Sequence, residues 1–195
     1  MLTRRPVRPA RQQGFSLIEL MVTVSVMVLL SLLAVPSMSQ YVENSKIHGT
    51  AEVVFAAMQK ARTEAIRRNA TVELVFTDQA PTPASVDTTG VTTTGPNWLI
   101  RQVPPPSSTA SHLFIEGKSG AEGSGRPAGG SSTTLVASSG AVAFTPYGAL
   151  SGAPFQVDFC APSGAARCLK VVVSRGGQAR LCDPAVTAIG DTRKC

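Results

Sequence analysis

The first chemically suggestive residue is a carboxylate in an unfavourable setting. Glu19 is the only charged residue between Phe15 and Val35, a run of 21 residues. A charge within such a run costs on the order of 2.5–3.5 kcal/mol at the centre of a membrane span and less near its edge, so a charge kept there implies a role. Four cysteines form a second group, Cys160, Cys168, Cys182 and Cys195, all in the last 36 residues. None is in a CxxC pair, and His48 and His112 are remote in sequence. Zinc ligands usually come in close pairs, so no metal site is expected, and an even cysteine number in an exported chain points to two disulfides. Gly117-Lys118-Ser119 carries the end of a phosphate-loop motif, but no upstream glycine stands at the required spacing and no helical pattern follows. Ser, His and Asp occur without a nucleophile-elbow motif. The expectation is a protein that is not an enzyme and has no cofactor.

Two features of the chain must position Glu19. At about 1.5 Å per residue, Phe15–Val35 as a helix measures about 31 Å, the thickness of a bilayer core of about 30 Å. Arg4, Arg5, Arg8 and Arg11 precede it, in a stretch of fourteen residues without an acid. Under the positive-inside rule those arginines stay in the cytoplasm and everything after Pro36 is exported. A cleaved secretory signal fits poorly, since the apolar run is long and no small-x-small site follows it directly. A plain anchor explains the length but not the carboxylate. The formal charge of +6 mostly belongs to the leader: without it, 14 basic residues face 12 acidic ones. The overall basicity therefore speaks of targeting more than of a nucleic-acid partner.

Gly14-Phe15-Ser16-Leu17-Ile18-Glu19 closely resembles the cleavage motif of type IV prepilins and pseudopilins. The resemblance implies that a prepilin peptidase cuts between Gly14 and Phe15 and methylates the new amino terminus of Phe15. It also implies that Glu19 lies near the terminal amine of a neighbouring subunit in the assembled filament. A carboxylate and an ammonium in apolar surroundings need each other, and pairing across subunits would set the axial register between helices. The implied organisation is a cleaved leader over 1–14, a transmembrane and assembly helix over 15–36, and an exported globular domain over 37–195. The implied partners are other pilins, the peptidase and the inner membrane.

Beyond Pro36, expected to interrupt or kink the helix, the pattern turns amphipathic. Tyr41, Ile47, Val54, Met58, Ala61, Ala65 and Ile66 recur at helical steps, and Glu64 and Arg68 form a supportive i,i+4 pair. The helix is expected to run from about Phe15 to Arg68, loosened near Pro36 and His48-Gly49, with His48 solvated. Ala61-Arg62-Thr63-Glu64-Ala65-Ile66-Arg67-Arg68-Asn69 resembles the "ARxEAxxRN" stretch of GspH/FimT-family pilins, where the stalk helix ends and the first strand begins.

Strand candidates follow at Thr71–Phe76, Trp98–Val103, His112–Ile115, Thr133–Ala137, Ala141–Phe144, Phe155–Cys160, Cys168–Ser174 and Ala179–Cys182. Residues 79–96 and 104–111 read as Pro/Thr/Ser-rich loops and 117–132 as a Gly/Ser-rich one. Antiparallel strands on the amphipathic helix half give an α+β protein, and the resemblance implies the same, a type IV pilin fold. The cysteines allow three pairings. Cys160–Cys168 would staple a hairpin and leave Cys182–Cys195 to close the C-terminal loop, a choice the family resemblance favours. The others are 160–182 with 168–195 and 160–195 with 168–182.

The resemblance implies a minor pilin of a type IV pilus, in its tip or initiating complex. The protein would sit in the inner membrane by a single pass, its C-terminal domain in the periplasm, before moving to a cell-surface pilus or pseudopilus. A GspH-type pseudopilin of type II secretion is an alternative, though the ending Arg180–Cys195 looks more like FimT/FimU pilins. Another is DNA binding for natural transformation. Some FimT-like pilins use a C-terminal "GRxR"-type motif, which reads here Gly190-Asp191-Thr192-Arg193, with an acid in place of the first arginine. Arg175, Arg180, Arg193 and Lys194 are the candidate phosphate contacts.

Overall fold

A computed structural model describes residues 16–120, 133–162 and 167–195, side chains at 33–37 and 39 excepted. Gly14 and Phe15 lie outside the described residues, as does most of the Gly/Ser-rich loop. The boundary between two compact units falls between Ser39 and Gln40.

One helix, α1, spans Leu17–Arg68. It passes both points expected to weaken it. A proline removes one backbone donor, and position 36 does not end the helix. At Gly49 the helix is held by its neighbours, because Ile47 and Ala51 on either side are fully buried. The buried stripe is Ile47, Ala51, Val54, Met58, Ala61 and Ala65, alternating steps of four and three, which keep one face inward. Tyr41 and Ile66, which also recur at helical steps, are 72% and 52% exposed; Ile66 sits one residue past the buried Ala65, about 100° around the helix.

The helix ends by a Schellman motif. Asn69 takes the left-handed conformation at φ 48°, the Ala70 N–H donates to the Ala65 carbonyl and the Asn69 N–H to that of Ile66, each at 3.2 Å. Glu64 accepts from both Arg67 (2.7 Å) and Arg68 (2.6 Å). The hydrogen bonds from Arg67 and then Arg68 hold its carboxyl at about 2.

Among the described residues eight strands follow: β1 Val72–Thr77, β2 Asn97–Gln102, β3 Leu113–Lys118, β4 Thr134–Ala137, β5 Ala141–Phe144, β6 Phe155–Cys160, β7 Leu169–Val173 and β8 Ala179–Cys182. They build two antiparallel sheets, ordered β3-β2-β1-β5 and β4-β6-β7-β8. Gly117 and Lys118, read from sequence as loop, end β3 as partners of Leu99 and Trp98. Val72, Leu74 and Phe76 of β1 and Val157, Phe159, Val171 and Val173 of the second sheet join the helix stripe in one core. Phe76 and Phe155 stack across it at 6.2 Å. The four alanines facing the sheets, Ala51, Ala57, Ala61 and Ala65, leave room for close helix–sheet packing.

The other face of the first sheet is also covered, which accounts for β1 being buried at Val75 and Thr77 as well. Residues 79–96, expected as plain loop, contain a short 3-10 turn, Pro83–Ser85, and bury Val86 and Thr89. Arg101 bonds Glu73 opposite it on β1 at 2.6 Å and donates to the Val86 carbonyl. Asp87 accepts from the backbone and ring of His112 at 2.9 and 2.7 Å, and those bonds lower its pKa.

Candidate functional site

Two regions carry the residues singled out by sequence. The first is the start of α1. Every large apolar side chain from Leu17 to Leu32 is exposed, all round the helix. Its hydroxyls turn inward: Thr23, Ser25 and Ser31 donate to the carbonyls of Leu20, Met21 and Met27 at 2.8–3.0 Å. A helix whose polar groups are satisfied by its own backbone suits surroundings that offer no water. Glu19, in the first turn, is the only charge between Leu17 and Leu32, and it is exposed. A carboxylate there also faces the positive end of the helix dipole. Among the described residues no helix is long and apolar enough to cross a membrane. The apolar run whose side chains are described, Leu17–Leu32, is shorter than the ~20 residues a crossing takes. The transmembrane reading of 15–36 thus reaches beyond what the structure describes.

The second region is the C-terminal lobe. β6 and β7 pair Phe159 with Leu169, and one step further along that register Cys160 meets Cys168 in a disulfide with Cα atoms 4.4 Å apart. Cys182, at the end of β8, bonds Cys195 at a Cα separation of 5.1 Å. With all four sulfurs in disulfides, none is a thiolate free to bind metal. The ring so closed is braced within: the Asp183 N–H donates to the Arg193 carbonyl at 2.7 Å, and the buried Asp183 carboxylate accepts from the Ala185 N–H at 2.9 Å and from Arg167.

This lobe does not gather its arginines into one free patch. Arg193 is held by Asp191 in a two-pronged ion pair, Nε at 3.1 Å and Nη2 at 2.7 Å. The side-chain and backbone bonds from Arg193 pull the Asp191 carboxyl down to about 2, and Asp191 in turn raises Arg193. The acid in the Gly-Asp-Thr-Arg stretch thus occupies the guanidinium, an effect sequence spacing alone did not reveal. Arg167 pairs with Asp183, and Lys170 with Asp158 across the β6–β7 ladder. Lys194 reaches the Thr187 carbonyl at 3.4 Å, and Arg180 donates to the Cys195 carbonyl at 3.1 Å. Arg175 is exposed at the β7–β8 turn. Of the six basic residues in this part of the chain, three are in ion pairs. His48, 60% exposed at its side chain, stands 4.0 Å from Glu52 on the same helix.

Comparison with known proteins gives this arrangement a family. Residues 9–35 match the prokaryotic N-terminal methylation motif. No protein of curated function matches the sequence. The type IV minor pilin FimU of Pseudomonas aeruginosa (strain PAO1), in space group P21, superposes with a TM-score of 0.50 at 16% identity, over 72% of this chain and 91% of that one. FimU in space group P65 gives 0.48 at 17% identity, over 69% and 90%. The minor pseudopilin EpsH from the Type 2 Secretion System of Vibrio cholerae gives 0.43 at 10%, over 72% and 99%. At 16% identity the first likeness is one of fold, and it is the type IV pilin fold. Residues 50–177, about two thirds of the chain, match the family described as Type II transport protein GspH, and the chain belongs to that family of minor pilins and pseudopilins.

Proposed function

We propose that the protein is a structural, non-enzymatic subunit of a type IV pilus, incorporated through α1 after processing of its leader. The observation that carries this reading is the Leu17–Leu32 segment: apolar on all sides, exposed, and interrupted by one carboxylate. Such a surface requires cover from lipid or from other helices. Family membership implies those helices are other pilins in a pilus or pseudopilus, and implies association with the cell envelope. Before assembly, Phe15–Val35 crosses the inner membrane with the leader arginines in the cytoplasm and the domain in the periplasm. Prepilin peptidase cuts after Gly14 and methylates Phe15, and Glu19 then pairs with the amine of a neighbouring subunit. The resemblance of the C-terminal stretch to FimT/FimU pilins favours a pilus over a secretion pseudopilus. The loop-rich domain suits a low-abundance subunit in the tip or initiating complex. The DNA-receptor reading gains no support from the lobe, where Asp191 binds Arg193.

Mass spectrometry of protein extracted from envelopes tests the processing step. The expected chain begins at Phe15 and carries one methyl group; a mature chain retaining Met1–Gly14 would sink it. For assembly, Glu19→Ala should be cleaved normally yet enter sheared filaments at a small fraction of the unsubstituted level. Equal incorporation of both would remove the register role of Glu19.

A further inference from the structure

A cleft lies between one face of α1 and the β7–β8 hairpin. Its volume is about 540 Å³, and Gln59, Arg62 and Thr63 line it from the helix, facing Gln178, Ala179 and Arg180. Among the described residues no acidic side chain lines it, whereas two guanidiniums do.

Its walls are fixed in place. Gly177 adopts φ 76°, and a Cβ there would come within 1.9 Å of the Gly148 carbonyl oxygen, so only glycine fits the approach. That same carbonyl accepts a hydrogen bond from Arg62 Nε at 2.9 Å. The hairpin, the β5–β6 connection and the helix thus meet at one point, which orients the Arg62 guanidinium. Its terminal nitrogens make no other hydrogen bond among the described residues. On the opposite wall Arg180 commits one terminal nitrogen to Cys195, leaving the remainder of its fork.

The hairpin adds main-chain groups. The Ser174 N–H donates to the Gln178 carbonyl at 3.0 Å, making that pair a hydrogen-bonded one. Antiparallel ladders alternate, so the next pair, Val173 and Ala179, is not, and the N–H and C=O of Ala179 point away from β7. β8 is an edge strand, and Ala179 lines the cleft.

We propose that this cleft is a docking site for an acidic segment of a partner protein. Its carboxylate would bind the forks of Arg62 and Arg180, and its main chain would bind the amides of Gln59 and Gln178 and the free edge at Ala179. Charge complementarity selects an acid, and the exposed strand edge selects a peptide. Among the described residues no aromatic side chain lines the cleft to stack a base, which disfavours single-stranded nucleic acid. No residue of Leu17–Leu32 takes part, so this proposal stands or falls separately from the assembly reading.

The test uses the full chain in neutral detergent and a capped, labelled peptide alternating Gly with Asp and Glu. Binding is read by fluorescence anisotropy at low salt, together with side-chain Nε–Hε NMR shifts of the arginines. The expected result is saturable binding that shifts the Arg62 and Arg180 signals. Roughly tenfold weakening is expected in Arg180→Gln, corresponding to about 1.4 kcal/mol, and further loss with Arg62→Gln. Arg175→Gln, which removes equal charge outside the cleft, should change affinity less than about twofold, a contrast no nonspecific attraction would give. Arg180→Gln leaves the Arg62–Gly148 anchor intact, so it remains informative if Arg62→Gln unfolds. Absence of peptide binding, or equal weakening by Arg175→Gln and Arg180→Gln, would overturn the site. Displacement of the peptide by equimolar inorganic phosphate would reduce it to a free-anion site, and tighter binding of a single-stranded oligonucleotide at the same arginines would replace the protein partner by nucleic acid; either overturns the proposal.

Discussion

The two halves of α1 bury their apolar residues in opposite ways. From Leu17 to Leu32 the apolar side chains surround the helix and stay exposed within the chain. From Ile47 to Ala65 a stripe of them is buried against two sheets, with Val53 and Phe55 partly buried beside it. Both halves are helical because their residues permit it, but only the second draws its stability from its own chain. The first keeps its large apolar side chains exposed from Leu17 to Leu32. Its single charge, Glu19, is exposed and is the residue proposed above to act in assembly, whereas a charge on the stripe would damage folding.

The widest separation between the halves comes from placing the same acid in each. Met58→Asp puts an unpaired carboxylate where the native side chain has no exposure. It should destabilise the domain by about 4 kcal/mol or more, read as loss of the cooperative urea transition. Val26→Asp should leave that urea midpoint unchanged yet reduce retention of the precursor in membranes, with a penalty on the order of 2.5–3.5 kcal/mol for an Asp near mid-span. A shifted midpoint in Val26→Asp would show that the first half also supports the domain. Next in size, Cys182→Ala with Cys195→Ala opens a ring of 13 residues separation. It should cost about 3 kcal/mol, seen as a lower Tm with the helix signal in circular dichroism preserved. Ala61→Leu should cost about 1–3 kcal/mol by overfilling the helix–sheet contact, while Leu29→Ala, at an exposed position, should leave domain stability within about 0.5 kcal/mol.

The smallest effect is electrostatic and belongs to the end of the helix. Arg67 and Arg68 hold Glu64 at about 2, below its ordinary 4.5. A depressed carboxyl contributes stability above its unfolded value and loses it as pH falls through the folded one. Domain stability should therefore decline between about pH 4.5 and 2, and Glu64→Gln should flatten that part of an acid titration. An unchanged acid limb in the variant would assign the decline to other carboxylates.

Local chemistry accounts for what was legible in the sequence. The alternation of Val72, Leu74 and Phe76 marks a strand, and Asn69 marks the helix end because its side chain tolerates the left-handed conformation. All eight strands lie where short β-rich runs stand between turn residues. Tyr41 and Ile66 recur at helical steps yet stay exposed, because periodicity gives spacing without saying how wide the sheets are. The covering of the first sheet by residues 79–96 was not legible, since burial of Val86 depends on Arg101 reaching across from β2.

The sites divide in the same way. The leader arginines, the Gly14-Phe15 step and the placement of Glu19 in an apolar run are properties of contiguous residues, visible without a fold because solvent preference and motif spacing act along the chain. The partners of the arginines are not. That Asp191 captures Arg193, that Asp183 takes Arg167, and that Arg62 and Arg180 line one cleft follow from how β8 and the disulfide ring bring separated segments together. Composition sets how many charges there are; only the packing of helix against sheets decides which of them are already paired and which remain for a partner.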